Sequence, residues 1–251
     1  GYSVAVGAQA MQSNTTGAAN VAVGFQNLVS NTTGSNNTAV GKAALFANTT
    51  GPNNVAIGSL TLDAATTAEG NTAVGQGSMS ATTTGASNVA VGLSSLYTNT
   101  TGANNTGIGK GALFANSTAS SNTGVGYHAG YAITDGHTNT FVGSEAGDSI
   151  TTGDENTAVG HGALDGATTA NGNTAVGTDT MAAALTGDNN TAVGYNAMLV
   201  ATGVTGTTAI GNQCLDAATT GDDNTALGSG SLGLNTSGSQ NTAVGAAASD
   251  V

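Results

Sequence analysis

The chain has 251 residues, of which 40 are glycine, with one proline, one cysteine, no tryptophan and a formal charge of −12. Only 6% of residues are charged and none is arginine, which excludes the Lys/Arg stripes needed against nucleic-acid phosphate or an anionic membrane surface. Lys42 and Lys110 balance Asp63 and Glu69 up to residue 125, so the whole acidic excess lies beyond it. Disordered chains are richer in charge and proline, and collagen needs glycine at every third residue, so neither class fits. No apolar run approaches 18 residues, so membrane insertion is not expected.

Glycines at 7, 24, 41, 58, 75, 92, 109, 126, 143, 160, 177, 194, 211, 228 and 245 mark 15 copies of a 17-residue unit without insertion or deletion. A period this strict is the signature of a stacked repeat architecture. In each copy the motif glycine follows a segment such as Thr38-Ala39-Val40. The residues one and three before the glycine are aliphatic or β-branched, and the one between is Ala in 12 copies, with Gly107, Gly124 and Phe141 as exceptions. Alternation over a short β-branched segment reads as a strand with one face in a core. The residues so placed in the core include Val40, Val74 and Val159, with the Ala face turned outward.

Four residues after the glycine stands Leu or Met in 12 copies, among them Leu45, Leu113 and Met181. This supplies a second core row on the opposite side of the coil. The expected unit is strand, bend, second short strand and the turn Thr-Thr-Gly, as at Thr32-Thr33-Gly34, where glycine suits positive φ. Ala68 and Ala170 take the place of that glycine and Gly70 and Gly172 follow two residues later, which suggests a different turn type in those coils. Asn precedes the strand in 13 copies, and its stacked amides are expected to bond between coils and to the turn backbone. The fold class is therefore all-β: a parallel β-solenoid, or β-roll, of fifteen coils occupying residues 1–251 as a single domain.

Further along, residues 119–150 are irregular. Gly130 and Gly147 replace the leucine, and Ile133 and Ile150 appear three residues later, as though to refill the vacated core. Tyr127, His128, Tyr131, His137 and His161 gather in and next to this region and form the candidate recognition surface, since exposed aromatics anchor ligands. Converging metal ligands are not evident there. The acidic turns at Asp154-Glu155 and Asp222-Asp223 are the candidates for weak calcium binding, but alternate coils stand about 10 Å apart, too far to share an ion. Cys214 is expected to be a small buried thiol. No nucleophile, base and acid set or phosphate loop stands out, so neither catalysis nor a cofactor is expected.

Fifteen coils at a strand spacing of about 4.8 Å would make a rod roughly 70 Å long with a thin interior. The flat Ala/Gly strip then invites a second backbone, and self-association as a symmetric trimer is the expectation.

Asn54-Val55-Ala56-Ile57-Gly58 and Asn88-Val89-Ala90-Val91-Gly92 resemble the head repeats of trimeric autotransporter adhesins, although those repeats are usually shorter. That resemblance implies a left-handed parallel β-roll wound as a homotrimer. Asn37 to Gly51, Gly126-Tyr127-His128-Ala129-Gly130-Tyr131 and Asn139-Thr140-Phe141-Val142-Gly143 are more closely similar to repeats of phage tail-fibre-like proteins. Such arrays often precede an endosialidase-type intramolecular chaperone, whose start Ser249-Asp250-Val251 resembles. The resemblances imply an extracellular fibre segment, on a virion tail or a bacterial surface, acting as a rigid spacer that meets a cell-surface glycan or receptor. The competing expectation is an ice-binding solenoid, with the Thr-Thr pairs stacked into ladders.

Overall fold

The computed structural model describes residues 2–183 and 185–249. The protein is a parallel β-solenoid of fifteen strands taken in sequence order. Its contacts divide it into two compact units, residues 1–122 and 123–251. The first holds β1 (Val4–Val6), β2 (Val21–Phe25), β3 (Thr38–Lys42), β4 (Val55–Ile57), β5 (Thr72–Val74), β6 (Val89–Val91) and β7 (Thr106–Ile108). The second holds β8 (Thr123–Val125), β9 (Thr140–Val142), β10 (Thr157–Val159), β11 (Thr174–Val176), β12 (Thr191–Val193), β13 (Thr208–Ile210), β14 (Thr225–Leu227) and β15 (Thr242–Val244). Within each unit, strands pair at an offset of one repeat, as Thr38↔Val55 and Thr157↔Thr174. Among the described residues no helix is long and apolar enough to cross a membrane. Asp250 and Val251, on which the chaperone resemblance partly rests, lie outside the described residues.

The strand faces are the reverse of the expectation. Ala39, Ala73 and Ala158 are fully buried, while Val40, Val74 and Val159, expected in the core, stand half-buried on the outer face. The reason is the narrowness of the coil. Leu45, Leu113 and Met181 are fully buried and occupy the interior against the strand, which leaves room there for a methyl group and little more. In β7, a Cβ added to Gly107 would already lie 3.3 Å from Leu96 Cγ. Alternation marks two faces, and the interior volume decides which of them is inside.

One coil inverts this pairing and so tests it. Phe141 takes the alanine position in β9 and is fully buried, and Gly147 takes the leucine position. A Cβ on Gly147 would stand 2.5 Å from Phe141 Cδ1 and Cε1. The aromatic ring fills the space that leucine fills elsewhere. Ile133 and Ile150 are fully buried as well, which agrees with their expected refilling role.

Among the described residues no second strand follows the bend. After the motif glycine the backbone adopts left-handed residues at alternate positions, such as Ala43 (φ 55°) and Leu45 (φ 51°). It still bonds along the stack. Ala43 N–H donates to Phe25 O of the preceding coil (2.8 Å), and Leu45 N–H to Thr61 O of the following one (3.1 Å). Left-handed φ in a bulky residue costs about 1–2 kcal/mol, so these leucines are held by burial against local preference.

The motif glycine is obligatory for two reasons. Gly92 has φ 137°, and a Cβ there would lie 2.6 Å from the carbonyl carbon of Gly109 in the next coil. The turn glycine differs from the expectation. Gly34 does not have left-handed φ; a Cβ on it would meet Gly51 O at 2.7 Å and Asn48 Nδ2 at 3.0 Å, so close approach is what requires it. The left-handed residue lies two positions later in ordinary and variant coils alike: Asn36 (φ 60°), Gly70 (67°) and Gly172 (65°). The turn therefore keeps one form where a different type was expected at Ala68 and Ala170.

The asparagine row is as expected. Asn37 is fully buried; its Nδ2 donates to Gly51 O (2.9 Å) and its Oδ1 accepts from Asn54 N–H (2.9 Å). Each amide thus satisfies two backbone groups of the neighbouring coil, which a buried backbone requires.

Candidate recognition surface

The tyrosines and one histidine of the irregular coils do come together. The His128 ring stacks on Tyr127 with centroids 3.9 Å apart and an interplanar angle of 12°, and meets Tyr131 at 4.4 Å. The position of His128 is left-handed (φ 54°), as at the equivalent Gln26 and Ala43. The remaining histidines do not join them. His161 lies beside two carboxylates, 3.8 Å from Glu145 Oε2 and 3.7 Å from Asp179 Oδ1. His137 sits exposed in a turn, its backbone N–H donating to Asp154 Oδ1 (2.6 Å).

Acidic side chains surround this second cluster. Burial, reinforced by Asp165 and Glu145 and opposed by His128, holds Asp148 above its ordinary value of 3.8. Burial likewise raises Asp165, with Glu145 and Asp179 adding to the effect and His161 opposing it. Like charges on neighbouring coils disfavour the ionised form. Among the described residues no group of three His, Cys, Asp or Glu side chains is placed to hold a metal ion.

The acidic turns have a backbone role. Asp154 Oδ1 accepts from His137 N–H, and Asp222 Oδ1 accepts from Thr205 N–H (2.9 Å) of the preceding coil. Glu155 (φ 59°) and Asp223 (φ 56°) fill the left-handed turn position that Asn36 fills elsewhere. Cys214 is fully buried, with Sγ 3.2 Å from Ala226 O, and burial pushes its thiol up to about 11. A thiol held protonated in this way is a poor nucleophile.

Two surfaces escaped the sequence reading. The first is the outer strand face, where Val4, Val6, Val23, Ile57, Val89, Val91 and Ile108 in residues 1–122 remain exposed. In residues 123–251 every strand is Thr-x-Val, Thr-x-Ile or Thr-x-Leu, with both outward residues at least partly exposed. The second is a groove of about 430 Å³ in residues 1–122, bounded by Leu60, Leu93, Tyr97 and Phe114. Tyr97 and Phe114 stack at 5.2 Å with an interplanar angle of 4°. Their separation of one repeat was the available signal.

The turn threonines present less hydroxyl than their sequence suggests. Thr32 Oγ1 donates to Thr49 O (3.0 Å) and Thr151 Oγ1 to Thr168 O (3.1 Å), so the first of each pair serves the stack.

No protein-family model matches this chain, and no curated protein matches it.

Proposed function

We propose that the chain is a structural and adhesive fibre segment, homotrimeric and extracellular, of the kind found in phage tail fibres and bacterial surface adhesins. It acts as a stiff spacer whose variable positions meet a cell-surface receptor, and no catalytic role is assigned to it. The observation that carries this reading is the outer strand face. β-branched side chains repeat on it from coil to coil, among them Val89, Val91 and Ile108, each about 40% exposed or slightly less. Contiguous exposed apolar surface of this kind marks an interface. The partner strip is therefore the valine face, whereas the alanine face is inside the coil.

The test replaces Val91 and Ile108 with lysine. Both side chains point outward, so the fold tolerates the change while the assembly must bury two charges. Dissociation to monomer with retained β circular dichroism supports the reading; an unchanged mass for the double variant contradicts it.

A second reading rests on residues 123–251, where Thr-x-aliphatic strands offer a regular array of hydroxyls and methyls suited to an ice surface. Its support comes from the strand threonines, because turn threonines such as Thr32 and Thr151 donate their hydroxyls to backbone. Thermal hysteresis by the purified protein would establish it, and its absence at millimolar concentration removes it.

A further inference from the structure

The groove in residues 1–122 lies outside the Tyr127–His128–Tyr131 stack and has the make-up of a small-molecule site. Its volume of about 430 Å³ is within the usual range for ligand pockets of about 300–1,000 Å³. Leu60 and Leu93 are 42% and 44% exposed, and Tyr97 is 39% exposed. Singly each would be ordinary; gathered around one depression they form an apolar wall. Tyr97 is held by its parallel stack on Phe114, which also lines the groove; the stack fixes the ring plane and lowers the entropic cost of stacking a ligand.

The floor is open because of one residue. Gly77 occupies a left-handed position (φ 64°) at which other coils carry side chains, including Gln26 (φ 59°). A Cβ on Gly77 would touch Tyr97 Cε2 at 3.5 Å and Ser94 Oγ at 3.6 Å, so a longer side chain there would run into the groove. Gln76 and Ser94 add polar groups to the lining, while the Ser80 hydroxyl is already donated to Asp63 Oδ1 (2.6 Å). Neither Lys42 nor Lys110 lines the groove, so nothing in it clamps a carboxylate or phosphate.

We propose that this groove binds an uncharged saccharide, with the C–H face of one hexose ring against Tyr97 and its hydroxyls toward Gln76 and Ser94. An aromatic face with a few polar groups at its edge matches a pyranose, which is apolar on its faces and polar around its rim. The proposal deepens the adhesive reading, on which it rests, by naming the class of ligand and the place.

The experiment uses the full chain with 13C-labelled leucine methyl groups, titrated with lactose, cellobiose and maltose to high millimolar concentration. At least one sugar should shift the Leu60 and Leu93 methyls while the buried Leu45 and Leu113 methyls stay fixed. Tyr97→Ala should weaken binding about tenfold, the loss of one good aromatic contact. Gly77→Gln should abolish it, and the fold accepts glutamine there as it does Gln26. Tyr195→Ala, which does not line the groove, should leave it unchanged. No shift with any of the three sugars, or equal binding by Gly77→Gln, overturns the proposal. Groove shifts that follow protein concentration instead of sugar also overturn it, because the occupant would then be a second copy. Light scattering on the same samples reads assembly separately: sugar binding by a monomer would sink the fibre reading and leave the groove standing.

Discussion

At the seventh position after the motif glycine, residues 1–122 bury Asn31, Asn48, Asn99 and Asn116, whereas residues 123–251 bury Ile133, Ile150, Ala167, Ala201 and Ala218. In the first unit these asparagines form a second amide row. Asn48 Nδ2 donates to Asn31 Oδ1 (2.8 Å), and Asn116 Nδ2 to Asn99 Oδ1 (3.0 Å). At these positions the second unit removes donor and acceptor together and fills the space with carbon, and asparagine returns at Asn235. Replacing both partners of a hydrogen bond is nearly neutral, while removing one leaves the other unsatisfied at a cost of about 1–3 kcal/mol. An apolar break in the first row shows this. Ala65 follows Asn48 in the row, and Asn48 Oδ1 is buried without a hydrogen-bond partner. The same coil thus accepts a polar or an apolar filling, provided that each is continuous.

The largest effect expected from this comparison is in the second unit. Phe141→Ala should cost about 4 kcal/mol, the usual scale for emptying an aromatic site. Adding Gly147→Leu to it should recover all but about 1.5 kcal/mol, since the pair then restores the Ala/Leu filling of the first unit. Denaturant unfolding followed by circular dichroism measures both. If the double variant is no more stable than the single one, volume exchange across the coil is wrong.

Next in size are the motif glycines, which should not distinguish the units. Gly92→Ala and Gly160→Ala are each expected to destabilise by about 3 kcal/mol, through left-handed strain and overlap with the next coil. A tolerant site in either unit would show that its coils are less tightly stacked.

Smaller and opposite in sign is Ala65→Asn. It should stabilise the protein by about 1 kcal/mol by giving Asn48 Oδ1 its missing donor. A neutral or destabilising result would mean that the amide row carries no net stability.

The smallest effect concerns pH and belongs to the acidic unit. Asp148 and Asp165 bind protons more tightly folded than unfolded, so stability should rise as pH falls from neutral toward their ordinary value of 3.8. Both are partly exposed, so solvent screening keeps the gain small. Asp148→Asn with Asp165→Asn should flatten this slope; a slope unchanged by the pair would assign it elsewhere.

Much of this fold was legible in the sequence. The glycine period gave coil length, the Leu/Met row gave one wall of the core, and the Asn before each strand gave its bonding role. What it hid has a physical reason in each case. Thr38-Ala39-Val40 shows alternation, but the side that faces inward depends on the width of the coil, which three residues do not encode. Leu45 at positive φ runs against its own backbone preference and is held there by burial. Thr32-Thr33-Gly34 reads as a turn, yet Asn31 at its start is fully buried as a rung of the second amide row. The groove could not be read locally, because Leu60, Gly77 and Tyr97 come from three successive coils. Of the candidate recognition residues, Tyr127, His128 and Tyr131 meet because they lie within five residues of one another after the motif glycine, while His137 sits in the turn of that same coil and His161 belongs to another.

The central claim is that the outward β-branched face of each coil is covered by further copies of the same chain. Light scattering coupled to size exclusion at micromolar concentration tests it most directly. A species of three times the 23.7 kDa chain mass is predicted. A homogeneous 23.7 kDa monomer would contradict it.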